Sequence, residues 1–490
     1  MYKNKNQLLY LILGMSFLSI NFVSAMEVTS ASKPSMDVPD DVGQLDAGEE
    51  PRSVGDRLAS VLTSHPRVEK ARGSVCEASF TIAEKRAAYF PKLNMSLSGG
   101  DKLVDETTRG DAFGGENAHE YDGKGVDLTL SLSQRIYDWG MTSADVTSAK
   151  LTRGSTSFQG SYVLQNQISE FYNSAFDHLT ARGRLEVLEA AAVKIRDNVD
   201  SIEVRYKRGA SRLSDLRAGQ VILLDLEMAI TAAQNQSALT ERVLKTQFNV
   251  DGEFVEDAGL YFLSRRPEIP EIVPSREALN WRILDSDHRA NGYEIKRLKA
   301  MRLPSFTGSL VAKAWDISES HSCGDVVASD HADAAYRNGE YRRYSNCNTH
   351  EVTARLEMSM PLFDGGLNKS QRRRANARAR SLEADMAGFD RYHTSESRRT
   401  RDNLMDLMSR ISNQDLKKQK LREQFDSQEI MQNQIRSNLV SLARLHFDLA
   451  LAEAEYIGLK YEAEKARVNA LVLSDQILDI LDVSWESGGC

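Results

Sequence analysis

Cys323 and Cys347 sit close together in the chain, each beside a histidine, in His321-Ser322-Cys323 and Cys347-Asn348-Thr349-His350. In an exported protein two such thiols close a surface loop as a disulfide. The same four side chains form a two-Cys two-His set, but the spacings match no standard zinc finger and an oxidising compartment favours the disulfide. Cys76 and Cys490 have no evident partner in the sequence. Arg372, Arg373 and Arg374, with Arg378 and Arg380, form a basic run of the kind that binds phosphate. Acids follow it closely and the chain carries a net charge of -8, so the run reads as a solvated helix face, with inner lipid headgroups as the alternative and no nucleic-acid partner. There is no Walker A loop, dinucleotide fingerprint, HExxH, GxSxG or paired-carboxylate constellation, and the 9 histidines are scattered. No catalytic, cofactor-binding or metal-binding residue is assigned, and neither an enzyme activity nor a cofactor is expected.

The feature that does recur is structural. Tyr137-Asp138-Trp139-Gly140 and Phe363-Asp364-Gly365-Gly366 lie 226 residues apart, and each separates an alternating run from a long stretch without proline. Before them, Leu93, Met95 and Leu97 alternate with polar residues, as do Val126, Leu128, Leu130 and Leu132, and then Val352, Ala354, Leu356, Met358 and Met360. Period two predicts strands. Strands with one apolar and one charged face suit a barrel wall between lipid and a wet interior, and equally a hairpin half-buried on a soluble core. An export signal and the lack of other apolar elements for such a hairpin to cover favour the barrel. Tyr137, Asp138, Gly140, Phe363, Asp364 and Gly366 are therefore read as strand-to-helix junctions, aromatics at a membrane interface and glycines at a change of backbone direction.

After each junction the texture turns helical. Only 10 prolines occur, none between Pro91 and Pro267 and none after Pro361, and an interior proline costs a helix about 3 kcal/mol. Residues 141–208 would span about 100 Å at 1.5 Å per residue, too long for a compact core of their own chain, so they are expected to run along partners as a coiled coil or helical barrel. Gly209 in Tyr206-Lys207-Arg208-Gly209-Ala210-Ser211 marks a helical hairpin tip, and Ser437 and Asn438 mark the matching turn.

The repeat divides the chain. Residues 1–25 read as a signal peptide, with Lys3 and Lys5 before an apolar run and a small-residue site ending at Ala25. No cysteine follows that site to carry a lipid anchor. A disordered leader covers 26–53. The first repeat is 54–266, with strands about 92–100 and 125–136 and a helical hairpin about 140–250. A proline-containing linker covers 267–274. The second repeat is 275–482, with strands about 305–315 and 351–362 and a hairpin about 366–480, and 483–490 is a flexible tail. The fold class is an α+β membrane protein. Four strands cannot close a barrel, and open edges are not tolerated in lipid, so the chain must oligomerise.

The paired Asp-x-Gly sites, "YFPKL" and "RLPSF" before the first strand of each repeat, and "RYKRGASRLSDL" at a tip resemble the TolC family of outer-membrane efflux and secretion proteins. The resemblance covers about 54–482. It implies a homotrimer whose twelve-stranded β-barrel in outer-membrane lipid continues into an α-helical periplasmic tunnel, docked to a periplasmic adaptor and an inner-membrane ABC or RND-type transporter. Family apertures are commonly narrowed by aspartates after the second tip. Here that stretch reads Leu439-Val440-Ser441-Leu442-Ala443-Arg444, and Ser441 stands opposite Asp215 of the first repeat. Asp215, Ser441 and Arg444 are the aperture candidates, closing through ion pairs between neighbouring hairpins, although Asp215 reads more readily as a solvated or capping residue after the tip. Gly209, Ser437 and Asn438 are the adaptor-docking candidates. The expected function is the exit duct of a tripartite export machine, type I protein secretion first on the missing anchor cysteine, a multidrug efflux pump as the alternative, and an exported non-conducting coiled-coil scaffold as a further one.

Overall fold

Two tracts free of proline become helices of 67 and 66 residues. The computed structural model describes residues 53–103, 109–110, 116–117, 122–267, 273–318, 346–432 and 439–485. In order, the chain forms α1 (Val54–Thr63), α2 (Pro66–Arg86), a 3₁₀ turn (Ala87–Tyr89), β1 (Lys92–Leu103), β2 (Arg109–Gly110), β3 (Glu116–Asn117) and β4 (Asp122–Tyr137). It continues through α3 (Met141–Lys207), α4 (Leu213–Phe248), α5 (Gly252–Arg265), α6 (Leu279–Ala300), β5 (Ser305–Ser318), β6 (Asn346–Ser359), α7 (Leu367–Gln432), α8 (Leu439–Leu473) and α9 (Ile477–Leu481). A helix, two long strands and two long helices thus occur twice in the same order. No helix among the described residues is long and apolar enough to cross a membrane.

β1, β4, β5 and β6 form one antiparallel sheet in that order. Register puts like with like across it. Met95 faces Leu130, Leu130 faces Ala312 and Ala312 faces Val352. One step along, Ser96, Thr129 and Lys313 make a polar row on the other face. Because side chains alternate between faces, the alternating pattern keeps whole rows apolar or polar.

The largest hydrophobic core is built on α3. Leu164, Ile168, Phe171, Tyr172 and Phe176 of α3 meet Leu58 and Leu62 of α1, Phe254 and Phe262 of α5, Leu471 of α8 and Ile477 and Leu481 of α9. Phe171, Tyr172, Phe176 and Phe262 are fully buried, each contributing roughly 2–3 kcal/mol of apolar burial. Local capping places the short helices. The Ser53 hydroxyl accepts from Asp56 N at 3.2 Å, Pro66 opens α2, and Asp251 Oδ1 accepts from Phe254 N at 2.9 Å.

Several expectations change here. The middle of α3 is wrapped by its own chain, because α1, α5 and α9 supply the apolar surface that its long pattern alone did not reveal. β6 runs Asn346–Ser359 instead of 351–362: the alternation continues to Met360, but Pro361 has no N–H for a ladder, while polar residues 346–350 still pair through the backbone. The second hairpin does not run unbroken to 480, since α8 stops at Leu473 and Asp475 turns with φ +57 before α9. Residues 483–485 are not a loose tail. Val483 is 4% exposed in the core, and the Trp485 indole lies against Gly160, where an added Cβ would meet its ring. The signal peptide, nearly all of the leader, residues 268–272 of the linker and residues 486–490 lie outside the described residues.

Candidate functional site

Each junction is built on one aspartate. Asp138 Oδ1 accepts from Gly140 N at 3.1 Å, and its Oδ2 accepts from Thr142 N at 2.8 Å and from the Thr142 hydroxyl. Asp364 Oδ1 accepts from Gly366 N at 2.9 Å and its Oδ2 from Asn368 N at 2.9 Å. Both carboxylates satisfy the free N–H groups at the start of a long helix, where the helix dipole also favours negative charge. Partial burial pushes the Asp138 carboxyl up, but the two Thr142 hydrogen bonds and the nearby Arg135 outweigh it and hold it below the ordinary value. The Asn368 N–H does the same for Asp364. Between aspartate and helix the backbone is left-handed twice, at Trp139 (φ +56) and Gly140 (φ +79), and at Gly365 (φ +63) and Gly366 (φ +86).

Trp139 is the residue that sequence reasoning passed over. Its Nε1 donates to Pro304 O at 2.8 Å, and its ring meets Tyr137 edge-on at 5.0 Å. It ties the end of β4 to the start of β5. The sequence signal was the mismatch with Gly365, a large side chain where the other half has none. Just inside the junction, Arg297 of α6 pairs with Glu294 at 2.6 Å and with Asp145 of α3 at 3.2 Å. The Arg297 hydrogen bond holds Glu294 below its ordinary value, and burial pushes Asp145 up.

At the far end of α3, Gly209 adopts φ +74 and Ala210 N donates back to Arg205 O at 2.8 Å, closing the helix. Asp215 then caps α4: its Oδ2 accepts from Arg212 N at 3.2 Å and from the Ser211 hydroxyl at 3.3 Å, and its Oδ1 from the Ser214 hydroxyl at 3.4 Å. Leu216, Ile202 and Leu439 pack together, so the first turns of α4 and α8 share this end of the molecule. Ser441 is exposed there. Arg444 lies 3.3 Å from Asp448 Oδ1 and 5.5 Å from the Phe447 ring. Within one chain Asp215 and Arg444 are each engaged locally and are not paired with each other. Ser437 and Asn438 lie outside the described residues. Nearby, His446 stacks 4.1 Å from Phe425 with Nδ1 3.3 Å from Asn198, and burial, with Lys194 close by, lowers its pKa to about 4.

The apolar face of the sheet is exposed. Leu93, Met95 and Leu97 are 69%, 71% and 68% exposed, and Leu356 is 69% exposed, a contiguous apolar band of the kind that marks a membrane or partner surface. Phe363 and Leu362, at the second junction, are also exposed. Among the described residues no group of three or more His, Cys, Asp or Glu could hold a metal. Cys323 and His321 lie outside the described residues, and of Cys347 and His350 only the backbone is described, in β6. Cys76, left unassigned by sequence, is disulfide-bonded.

Residues 58–248 match the outer membrane efflux protein family. Over that segment the chain is similar to this family. It is 23% identical over 226 residues to "Outer membrane efflux protein BepC" of Brucella suis biovar 1, an alignment covering 44% of this chain and 45% of that one. It is also 23% identical over 362 residues to "Protein CyaE" of Bordetella pertussis, covering 74% and 69%. The alignment thus spans under half of BepC. Among solved structures, CusC, described in terms of folding and transmembrane channel formation, superposes with a TM-score of 0.66 at 14% identity over 91% of this chain and 99% of that one. At that identity the likeness is one of fold. The family places the protein at the outer membrane.

Proposed function

We propose that the protein is the outer-membrane exit duct of a tripartite export machine. Three copies assemble, their sheets closing into a twelve-stranded barrel and their helices into a periplasmic tunnel about 100 Å long. The observation that carries the reading is the sheet with one exposed apolar face whose strands pass, through capped aspartates, directly into helices of 67 and 66 residues. Edge strands β1 and β6 then pair with neighbouring copies, so no ladder edge faces lipid. A periplasmic adaptor docks at the tip around Gly209, Ser437 and Asn438, and an inner-membrane transporter of ABC or RND type supplies the energy.

The aperture is formed near Asp215, Ser441 and Arg444 of neighbouring copies. Asp215→Asn keeps an acceptor for the α4 cap while removing the charge, which separates capping from gating. If charge pairs close the aperture, Asp215→Asn and Arg444→Ala each raise single-channel conductance in planar bilayers. Unchanged conductance in both removes the gate.

For cargo, the reading taken first is a polypeptide carried by type I secretion. The second is a small molecule, favoured by the similarity to BepC, an outer membrane efflux protein by its name. Deleting the gene and comparing the secreted proteome with drug susceptibility tests both. A purified protein that shows no heat-modifiable oligomer and no conductance leaves only the scaffold reading and overturns the duct.

A further inference from the structure

The sheet and the helices next to it share one lateral order. β1 and β6 are the outer strands, and the helices that run into β1 and out of β6 are α2 and α7. α2 packs on α3, α3 on α6 and α6 on α7, so α2 and α7 stand at opposite edges. Each edge carries cations at the end next to the sheet. Arg86 closes α2 and Lys92 opens β1. Arg372, Arg373 and Arg374 fall within the first eight residues of α7, about 10 Å along the helix from its start. Among the described residues none of these side chains is ion-paired. The nearby carboxylates are committed elsewhere, Asp364 to the amides of Gly366 and Asn368, and Glu294 to Arg297 at 2.6 Å.

Helix stability does not account for the arginines of α7. Lys and Arg at a helix N-terminus oppose the macrodipole, whereas at the end of α2 they complement it. Residues 367–382 hold six cations and no acid, while α3, which starts from the same kind of junction, holds Asp145 and no cation before Lys150. Nor are the arginines the solvated face of one helix. Successive residues turn by about 100°, so Arg372 to Arg374 fan across about 200° and in any packing of α7 some of them face its neighbours.

The assembly proposed above brings these edges together. When β6 of one copy pairs with β1 of the next, α7 of the first lies beside α2 of the second, and Arg372, Arg373 and Arg374 meet Arg86 and Lys92 across the seam. Cations without a counter-charge repel one another there, and an anion between them removes the repulsion. Depth names its source. Tyr89, Phe90, Trp139 and Phe363 are exposed at this same level, as aromatic residues are at a membrane interface, so the seam opens at the layer of lipid phosphates. We propose that each seam binds the phosphate groups of anionic phospholipids from the inward-facing leaflet, through Arg372, Arg373 and Arg374 of one copy and Arg86 and Lys92 of the next. The lipid is then the counter-charge that holds neighbouring copies together below the sheet. The inference rests on the duct reading for the pairing of the edges.

The test uses the full chain as a detergent-solubilised oligomer, given phosphatidylglycerol, phosphatidylcholine or inorganic phosphate at equal phosphate concentration. Native mass spectrometry counts bound lipid, and gel migration after heating reads the oligomer. Phosphatidylglycerol should bind and raise the temperature at which the oligomer dissociates, and the other two should not. Each cation removed should weaken that binding about fivefold. Arg372→Gln, Arg373→Gln and Arg374→Gln combined should therefore weaken it on the order of 100-fold, while the same three changed to Lys retain it. Glutamine removes the opposition to the dipole, so the variant keeps its helix. Arg398→Gln, Arg399→Gln and Arg401→Gln combined, farther along α7, should bind as wild type does. Equal binding of phosphatidylcholine, a preference that survives in the first glutamine variant, or an equal loss in the second overturns the proposal. A gain from inorganic phosphate alone assigns the seam to a free anion and overturns the lipid. An oligomer that conducts in planar bilayers but shows no lipid preference sinks the seam and leaves the duct, whereas the absence of any oligomer sinks both.

Discussion

Asp138 and Asp364 start α3 and α7 with the same pair of oxygens, yet the two helices then part company. At the offset that aligns the junctions, Phe171, Tyr172 and Phe176 of α3 stand opposite Ser397, Arg398 and Asp402 of α7. The first three are fully buried in the central core, while Ser397 is buried with its hydroxyl unpartnered. The backbone plan was thus duplicated without the same core: α3 is the helix around which α1, α5 and α9 gather, and α7 lies outside it, packing Leu404, Leu407 and Phe425 on α8 in smaller clusters. A repeat in sequence grammar does not imply equal energetic weight.

The largest effect should follow from that asymmetry. Phe171→Ala removes a fully buried ring and should cost about 3–5 kcal/mol, whereas Ser397→Ala should stay within about 0.5 kcal/mol of wild type, both read from urea unfolding of the detergent-solubilised protein. Comparable losses at the two positions would mean that α7 carries as much of the stability as α3 does.

His446 gives the next contrast, since Gln220 occupies the matching position in the first half. Its folded pKa is lowered from 6.5 to about 4. Folding therefore favours the neutral ring, and the stability it contributes is complete above about pH 6.5 and is lost as pH falls from there towards about 4. Hydrogen exchange in the first turns of α8 should accelerate across that window, and His446→Gln should flatten the dependence. An unchanged profile in the variant would assign the acid sensitivity to other groups.

The two carboxylate caps come third. Asp138→Ala leaves Gly140 and Thr142 N–H groups unsatisfied and should cost about 2 kcal/mol, and Asp364→Ala should act in the same direction but less, because Asp364 is fully exposed. Both folded pKa values are depressed, so this stability is present above the ordinary carboxylate value and is lost as pH drops through the folded one. Asp138→Asn should lose that acid step, which a urea midpoint measured against pH would show.

These contrasts also show what the sequence could carry. The junctions were legible because a carboxylate, a left-handed residue and a helix start are local, within five residues. The long helices were legible because proline is their strongest veto. The wrapping of α3 was not, since Phe262, Leu58 and Ile477 reach it from segments scattered along the chain. β6 began earlier than its alternation because residues 346–349 join the backbone ladder opposite β5. Asp215 showed the limit differently: capping and gating ask for the same residue type at the same place, and only the hydrogen bonds reveal that its oxygens are occupied at the α4 cap.

Trp139 and Gly365 carry the smallest and sharpest contrast. Both residues are left-handed, which costs a side chain roughly 1–2 kcal/mol and costs glycine nothing. Trp139 offsets that cost with the hydrogen bond to Pro304 O and the edge contact to Tyr137, and these hold β4 to β5 across the boundary between the halves. Trp139→Phe keeps the strain and loses the hydrogen bond, so it should be less stable by about 1 kcal/mol. Trp139→Gly loses both contacts and also relieves the strain, so it should unfold close to wild type in urea while exchanging the amides of β5 near Ser305 faster. If the phenylalanine and glycine variants are equally destabilised, backbone strain plays no part at this junction, and the glycine at 365 needs another reason.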